Sequence, residues 1–322
     1  MKMERSPEVL CLTDGHAGNR RQAEALAHAL GHGAAPHVEL HPDWRARAWS
    51  PRRFPGAGRA LGTEFAQVLS KPPRLAIGCG RQAALATRLL RGAGSRVIQI
   101  LDPRIAPRHW DRVIAPLHDG LSGDNIIPML GSLNEVDDLW LAQARRDFPA
   151  FAGFAAPRVA LLLGGPSRHW AMDDAGFADM LARLQAQLQG EGGALLATAS
   201  RRTPTAWREA LRRSDLALAW CDEGDGPNPY RGLLGWADAI VCSADSVNML
   251  SEACATQAPV FVFGGERLQG RPKAFLDALI ASGRVRPLGD GITPFDVMPL
   301  RETARVAEVL KPWLRDAGMA AG

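Results

Sequence analysis

The chain lacks most of the features that mark specialised proteins. It has five cysteines in 322 residues and no C-x-x-C pair, so neither a disulfide framework nor a zinc ribbon is written into it. Four of those cysteines (among Cys11, Cys79, Cys221, Cys242 and Cys254) sit in or beside apolar runs and read as reduced core thiols of a cytosolic protein. No apolar run approaches the roughly 18 residues of a membrane span. Met1–Pro7 is too polar for a secretory signal, so a protein neither inserted nor exported is expected. Heptads, low-complexity tracts and repeats by identity are absent. There is one tyrosine, Tyr230. Charge of one sign is also scarce: the formal net charge is +4, and the arginines are scattered rather than clustered. That balance argues against nucleic acid as a partner. It suits an anionic small molecule or loose contact with an acidic membrane surface.

What is present suits stable cores. Hydrophobic residues make up 46% and charged residues 22%, and the length suits two domains of about 150 residues each. In the first half, apolar strand-like runs (Glu8–Thr13, Leu75–Gly78, Arg96–Leu101, Arg112–Pro116) alternate with stretches of helical spacing at Arg20–Leu30 and Arg81–Arg91. His41–Gly62, with Pro42, Pro51 and Pro55, reads as a long irregular connection. The pattern breaks at Asp147–Pro157 and then resumes with Val159–Leu163, Ala194–Thr198, Leu216–Trp220, Ala239–Cys242 and Val260–Phe263. This predicts an α/β protein of two Rossmann-like doubly wound domains facing across a cleft, spanning 1–150 and 157–300. A terminal helix within 301–322 is placed to return to the first domain.

Ala237–Phe263 is the most informative stretch. A buried strand runs into Ser243, Asp245 and Ser246, which can cap the following helix, and Met249 and Glu252 lie on that helix. Hydroxyls and backbone N–H groups at a helix N-terminus favour an anion such as phosphate, and a carboxylate further on can accept hydrogen bonds from a ribose. An ordinary, well-capped βαβ unit fits the same residues. Three more strand ends carry polar turns. Asp14–Asn19 (DGHAGN) has Gly15 and Gly18 for a tight turn and Asn19 as an N-cap. Gly164, Gly165, Pro166 and Ser167 follow Val159–Leu163, without the Gly-Lys-Ser/Thr of a Walker A loop. Ser200, Arg201 and Arg202 close the next strand. In open α/β sheets ligands bind at such carboxyl ends.

Other motifs are more equivocal. Gly78–Ala83 matches G-x-G-x-x-A with Asp102 downstream, as a dinucleotide fingerprint requires, but it is not the first βα turn and Arg81 lies inside it. A turn lining the interdomain cleft is the preferred reading. His118 and Asp119 could act as base and orienter only if their side chains met. Asp222–Tyr230 is rich in acidic and amide groups, yet lacks the D-x-D-x-D-G calcium pattern and a nearby histidine, so no metal is expected there. Asn228 and Tyr230 read instead as residues of a cleft loop, with Tyr230 able to pack on a base or merely on the neighbouring helix.

Taken together, LTDGHAGNRRQAEALAHALG, GGPS, SRRTP, NPY and ADAIVCSADSVNMLSEACATQAPVFVF resemble, in order and over most of the chain, the bacterial branch of the mitochondrial-fission family. That family is named after a plant protein whose loss gives elongated mitochondria. The second half is more distantly similar to the donor domain of GT-B glycosyltransferases. The resemblance implies a nucleoside-diphosphate sugar, of the uridine type, bound by Gly15, Gly18, Asn19, Gly164–Ser167, Ser200–Arg202, Asn228, Tyr230, Ser243, Asp245, Ser246, Met249 and Glu252, with Glu252 at the ribose. The family's arginine-glycine is replaced here by Ser243-Ala244-Asp245. Asp14, His16, His118 and Asp119 are the candidate catalytic bases, and neither metal nor cofactor is expected. Glycosyl transfer leads, with nucleotide-sugar epimerisation and a non-enzymatic recruitment role as the alternatives. A lipid-linked acceptor or the inner face of a membrane completes the expected partners.

Overall fold

Short apolar runs separated by helices can bury their backbone polar groups only by pairing with one another, and the parallel sheet is the arrangement that helical crossovers permit. The computed structural model describes residues 7–289 and 291–319, so the expectation drawn from Met1–Pro7 falls, apart from Pro7, outside the described residues. The chain divides into two compact units, residues 1–135 with 302–322 and residues 136–301. The expected linker at Asp147–Pro157 thus lies inside the second unit. The reason is local: a helix over Asp138–Asp147 packs on the unit-two helix Tyr230–Trp236, with Arg145 Nε donating to the Gly235 carbonyl at 2.6 Å.

In the first unit the elements are β1 (Val9–Thr13), α1 (Ala17–Ala29), β2 (His37–Glu39), α2 (Trp44–Trp49), α3 (Ala57–Ala60), α4 (Thr63–Ser70), β3 (Leu75–Cys79), α5 (Arg81–Gly92), β4 (Arg96–Ile100), β5 (Arg112–Pro116) and β6 (Ile126–Met129). All pairings are parallel, in the order β2-β1-β3-β4-β5-β6. The strand period of two divides the core between the two faces. Val9 and Cys11 of β1 pack with Leu26, Ile77 and Ile98, while Leu10 and Leu12 pack with Leu85, Val97 and Trp110. The terminal helix, Glu302–Asp316, adds Val306, Leu310 and Leu314 to the first of these clusters and is grouped with the first unit.

The second unit holds α6 (Asp138–Asp147), β7 (Arg158–Leu163), α7 (Asp174–Glu191), β8 (Ala194–Ala199), α8 (Thr205–Arg213), β9 (Leu218–Trp220), α9 (Tyr230–Trp236), β10 (Ala239–Ser243), α10 (Val247–Cys254), β11 (Val260–Phe263), α11 (Arg271–Ala281) and β12 (Val285–Pro287); the terminal helix is α12. Its sheet is parallel throughout, in the order β12-β11-β10-β7-β8-β9. Every residue of β3, β8 and β10 is buried, as strands covered on both faces require.

Several elements were not anticipated. His41–Gly62 carries α2 and α3 rather than an irregular path, and Asp43 caps α2 by accepting from Ala46 N at 2.8 Å. The edge strands β2 and β12 are three residues long and only partly buried, too short and mixed to show a period. Helix α1 starts at Ala17, with His16 as its N-cap and no capping side chain, so Asn19 lies inside the first turn rather than at the cap. Among the described residues, no helix is long and apolar enough to cross a membrane.

Candidate functional site

In each unit the strand order reverses at one place, and the loops at the carboxyl ends of the strands flanking that place are where an open sheet forms a crevice. In the second unit the reversal falls between β7 and β10. Gly164-Gly165 leaves β7 and Ser243-Ala244-Asp245 leaves β10, and the two turns are joined directly. Gly164 N–H donates to Ser243 Oγ at 2.7 Å, Gly165 N–H to Asp245 Oδ2 at 3.1 Å, and Ser243 Oγ–H to Asp245 Oδ1 at 2.6 Å. From the end of β8, Arg202 Nη2 reaches Asp245 Oδ2 at 2.6 Å. The Asp245 side chain is 0% exposed and that of Arg202 51% exposed. Glycine is required at both turn positions by close approach. A Cβ on Gly164 would overlap the Asp245 carboxylate, and one on Gly165 would strike the Arg202 backbone carbonyl.

The rest of this site is built on the same strand ends. Ser246 caps α10 by accepting from Met249 N, and Thr203, which sequence reasoning missed, reaches the Gly164 carbonyl with its hydroxyl at 2.5 Å. Thr203 also accepts from Ser200 N at 2.9 Å, which fixes the turn carrying Arg202. Its place three residues after Ser200 was the available signal. Pro166, Ser167 and Arg201 are exposed beside the turn. Glu252, on α10, is 8% exposed and accepts from Tyr230 Oη at 2.5 Å. Asn228 Oδ1 accepts from Tyr230 N at 2.9 Å, so it positions the tyrosine. Tyr230 therefore engages the proposed ribose carboxylate.

The far end of α10 is pinned by a residue that sequence reasoning also missed. Arg284 is 5% exposed and donates to the carbonyls of Ala253, Cys254, Thr256 and Ala258 at 2.9–3.2 Å. Burial lowers its pKa, and the carbonyls at the helix C-terminus are the partners that make a cation tenable there. A lone arginine in a Gly-Arg-Val-Arg stretch offered no signal. Nearby, burial raises Cys254 to about 12 and Cys242 well above an ordinary thiol, so neither is a nucleophile at neutral pH.

In the first unit the reversal falls between β1 and β3. Asp14 Oδ1 accepts from Asn19 Nδ2 at 2.9 Å and lies 3.1 Å from His16 Nδ1. The Asp14 side chain is 14% exposed and that of His16 79% exposed. Gly15, at φ +79°, lies against the Glu39 side chain, and Gly80 approaches Asn19. Gly18 contributes its carbonyl, which accepts from Gln22. Thr13 Oγ1 and His37 Nε2 form a 2.8 Å hydrogen bond beneath the turn. Burial, followed by the Arg20 charge, lowers the His37 pKa.

His118 and Asp119 occupy a 3-10 turn after β5, three strands from β1 in the sheet. At about 4.8 Å per strand, some 14 Å separates those two strand ends, so the four candidate bases do not form one cluster. The dinucleotide reading of Gly78–Ala83 fares poorly as well. A Cβ on Gly78 would meet Thr87 and Gln99 in the core, and Asp102 turns back on its own loop to Arg104. Asp222 and Asp225 are both bridged by Arg212. Among the described residues, no group of three or more His, Cys, Asp or Glu side chains is placed to hold a metal ion.

The chain matches the family model described as Mitochondrial fission ELM1 over residues 17–314 and belongs to that family. It is 28% identical over 282 residues to the mitochondrial fission protein ELM1 of Arabidopsis thaliana, covering 76% of this chain but 65% of that protein. It thus spans less than two thirds of that relative's length. An uncharacterized protein of Rickettsia prowazekii is 23% identical over 351 residues, covering 94% of this chain and 97% of that one. Among solved structures, the UDP-GlcNAc 2-epimerase of Methanocaldococcus jannaschii is similar at TM-score 0.57 and 14% identity, over 94% of this chain and 99% of that chain. The Neisseria meningitidis UDP-GlcNAc 2-epimerase, solved bound to UDP-GlcNAc, follows at TM-score 0.50 and 12% identity, over 98% of this chain and 94% of that chain. At such identities the likeness is one of fold: the two-domain α/β, GT-B-like class expected from the strand and helix pattern.

Proposed function

We propose that this member of the mitochondrial-fission family binds a nucleoside-diphosphate sugar, of the uridine type, at the carboxyl end of its second sheet and transfers the sugar to an acceptor. The observation that carries the reading is a convergence of donors. Gly165 N–H, the Ser243 hydroxyl and the Arg202 guanidinium come from three strand ends and meet at one anionic group. Such a set suits one phosphate of a diphosphate without a metal ion. Glu252 takes the ribose diol, and exposed Ser167 and Arg201 flank the second phosphate. The fold likeness to enzymes whose names carry UDP-GlcNAc supports the same ligand class. In the first unit Asp14, held by Asn19 and His16, is the candidate base for an acceptor hydroxyl, and transfer proceeds by direct inverting displacement. A lipid-linked acceptor would bring the chain to a membrane surface, in keeping with its net charge of +4.

Epimerisation of the nucleotide sugar is the second reading, favoured by the two solved structures being epimerases. Titration calorimetry with UDP-GlcNAc, UDP and NAD, followed by product analysis, tests both. UDP-GlcNAc and UDP should bind and NAD should not, and Glu252→Gln should weaken the uridine ligands by about 1–3 kcal/mol. A transferase releases UDP only when acceptor is present, whereas an epimerase converts the sugar alone. Asp14→Ala should slow either turnover about 10²- to 10⁴-fold. No binding by any uridine ligand would end the nucleotide reading. It would turn attention to a non-enzymatic recruitment role, in a chain whose plant relative is named for mitochondrial fission.

A further inference from the structure

The group on which those donors converge belongs to the protein itself. Asp245 supplies the anion: its carboxylate is 0% exposed and engaged by Gly165 N–H, the Ser243 hydroxyl and Arg202. A phosphate oxygen bound to the same three donors would need the space and the charge that Asp245 now fills. We infer that Asp245 is a built-in anionic plug, an internal ligand that holds the phosphate seat of the second unit closed and must swing out before a phosphate or diphosphate enters.

This inference rests on the nucleotide reading only for the identity of the ligand; the plug itself is a statement about the seat. Three features suit Asp245 to exchange. It lies in the three-residue connection between β10 and α10, outside both elements, so a rotation of its side chain moves the carboxylate without moving either backbone. Its cation partner is half-exposed, so Arg202 can follow an incoming anion. The glycines of the opposing turn bring no side chain of their own, and the Asp245 carboxylate fills the space that a Cβ on Gly164 would take. The same pattern recurs at the second polar group of the site, where the Tyr230 hydroxyl sits on the Glu252 carboxylate in the place a sugar hydroxyl would take. Both halves of the site are thus satisfied by the chain's own groups. A like charge left beside a bound phosphate opposes it, so the plug lowers the affinity of the seat for an anion.

The test is titration of the full chain and of Asp245→Asn with inorganic pyrophosphate and, separately, with UDP. Asp245→Asn keeps the shape of the side chain and removes its charge, and it should bind pyrophosphate at least about tenfold more tightly than the unsubstituted chain. Combining it with Arg202→Ala should cancel that gain. As a measurement that needs no folded variant, pyrophosphate added to the unsubstituted chain should shift the Gly165 amide resonance at high concentration. A variant that binds pyrophosphate no better, or an unmoved Gly165 amide, overturns the plug and makes Asp245 a fixed brace of the turn. If the variant gains for pyrophosphate while UDP binds no better than pyrophosphate to either protein, the plug stands and the nucleotide reading falls. If UDP binds the unsubstituted chain and Asp245→Asn gains nothing, the nucleotide reading stands and the plug falls.

Discussion

Each unit places an aspartate at a strand end that flanks its reversal, after the first strand in one and after the strand beyond the break in the other, and surrounds it with opposite chemistry. Asp14 follows the first strand of its sheet and meets the Asn19 amide and a histidine. Asp245 is completely enclosed by an arginine, a hydroxyl and a backbone amide. The helices beside them differ in the same sense. Helix α1 begins without a capping side chain, whereas α10 is capped by Ser246 and held at its other end by Arg284. A carboxylate held by an amide and an exposed histidine is left partly open to solvent, whereas one enclosed by charge-assisted donors has itself become the ligand. Strand order alone does not assign these roles, which lie in the residues at each turn.

The sharpest way to break this comparison is at Arg284. Arg284→Ala strips donors from four buried carbonyls and should cost at least about 3 kcal/mol. Hydrogen exchange should show the loss in β7–β12 while β1–β6 keep their protection. An equal loss in both units, or none, would mean that α10 is not pinned as described. A smaller effect is expected from the glycine turns. Gly165→Ala drives a Cβ into the Arg202 backbone, which cannot move aside, at a cost of about 2–3 kcal/mol. Gly15→Ala meets only the flexible Glu39 side chain and a positive φ, so it should cost about 1 kcal/mol. Urea midpoints of the two variants in the reverse order would undo the claim that the second turn is the more tightly built.

The smallest expected effect is the pH response of the first unit. His37 has its pKa lowered, first by burial, so the fold disfavours the imidazolium that the unfolded chain accepts. Stability is therefore undiminished above the unfolded value of about 6.5 and declines as pH falls below it. Urea midpoints of the first unit should drop between pH 7 and pH 5, and His37→Gln should flatten that drop. A slope unchanged by the substitution would place its origin elsewhere.

Much of this was legible from the residues. The fully buried strands β3, β8 and β10 announced themselves as uninterrupted apolar runs, and the glycine-bearing turns marked the strand ends that became the two reversal points. The edge strands β2 and β12 were invisible, because three residues of mixed polarity carry no period. The break at Asp147–Pro157 looked like a linker but is a tight aromatic turn, in which Phe148 packs on Phe151 at 5.5 Å and Phe151 on Phe154 at 5.3 Å. Prolines and glycines mark any abrupt change of direction, not only those between domains.

The class of fold, the family and the residues gathered at the second sheet's reversal could be read from the amino acids, because local periodicity and turn chemistry act over a few residues. What those residues do to one another depends on the folded chain. That Asp245 rests on an arginine 43 residues away, that Tyr230 meets Glu252 across 22 residues and that His118 ends three strands from Asp14 all follow from strand order. Strand order is set by which faces can be buried together, a property of the whole chain rather than of any segment.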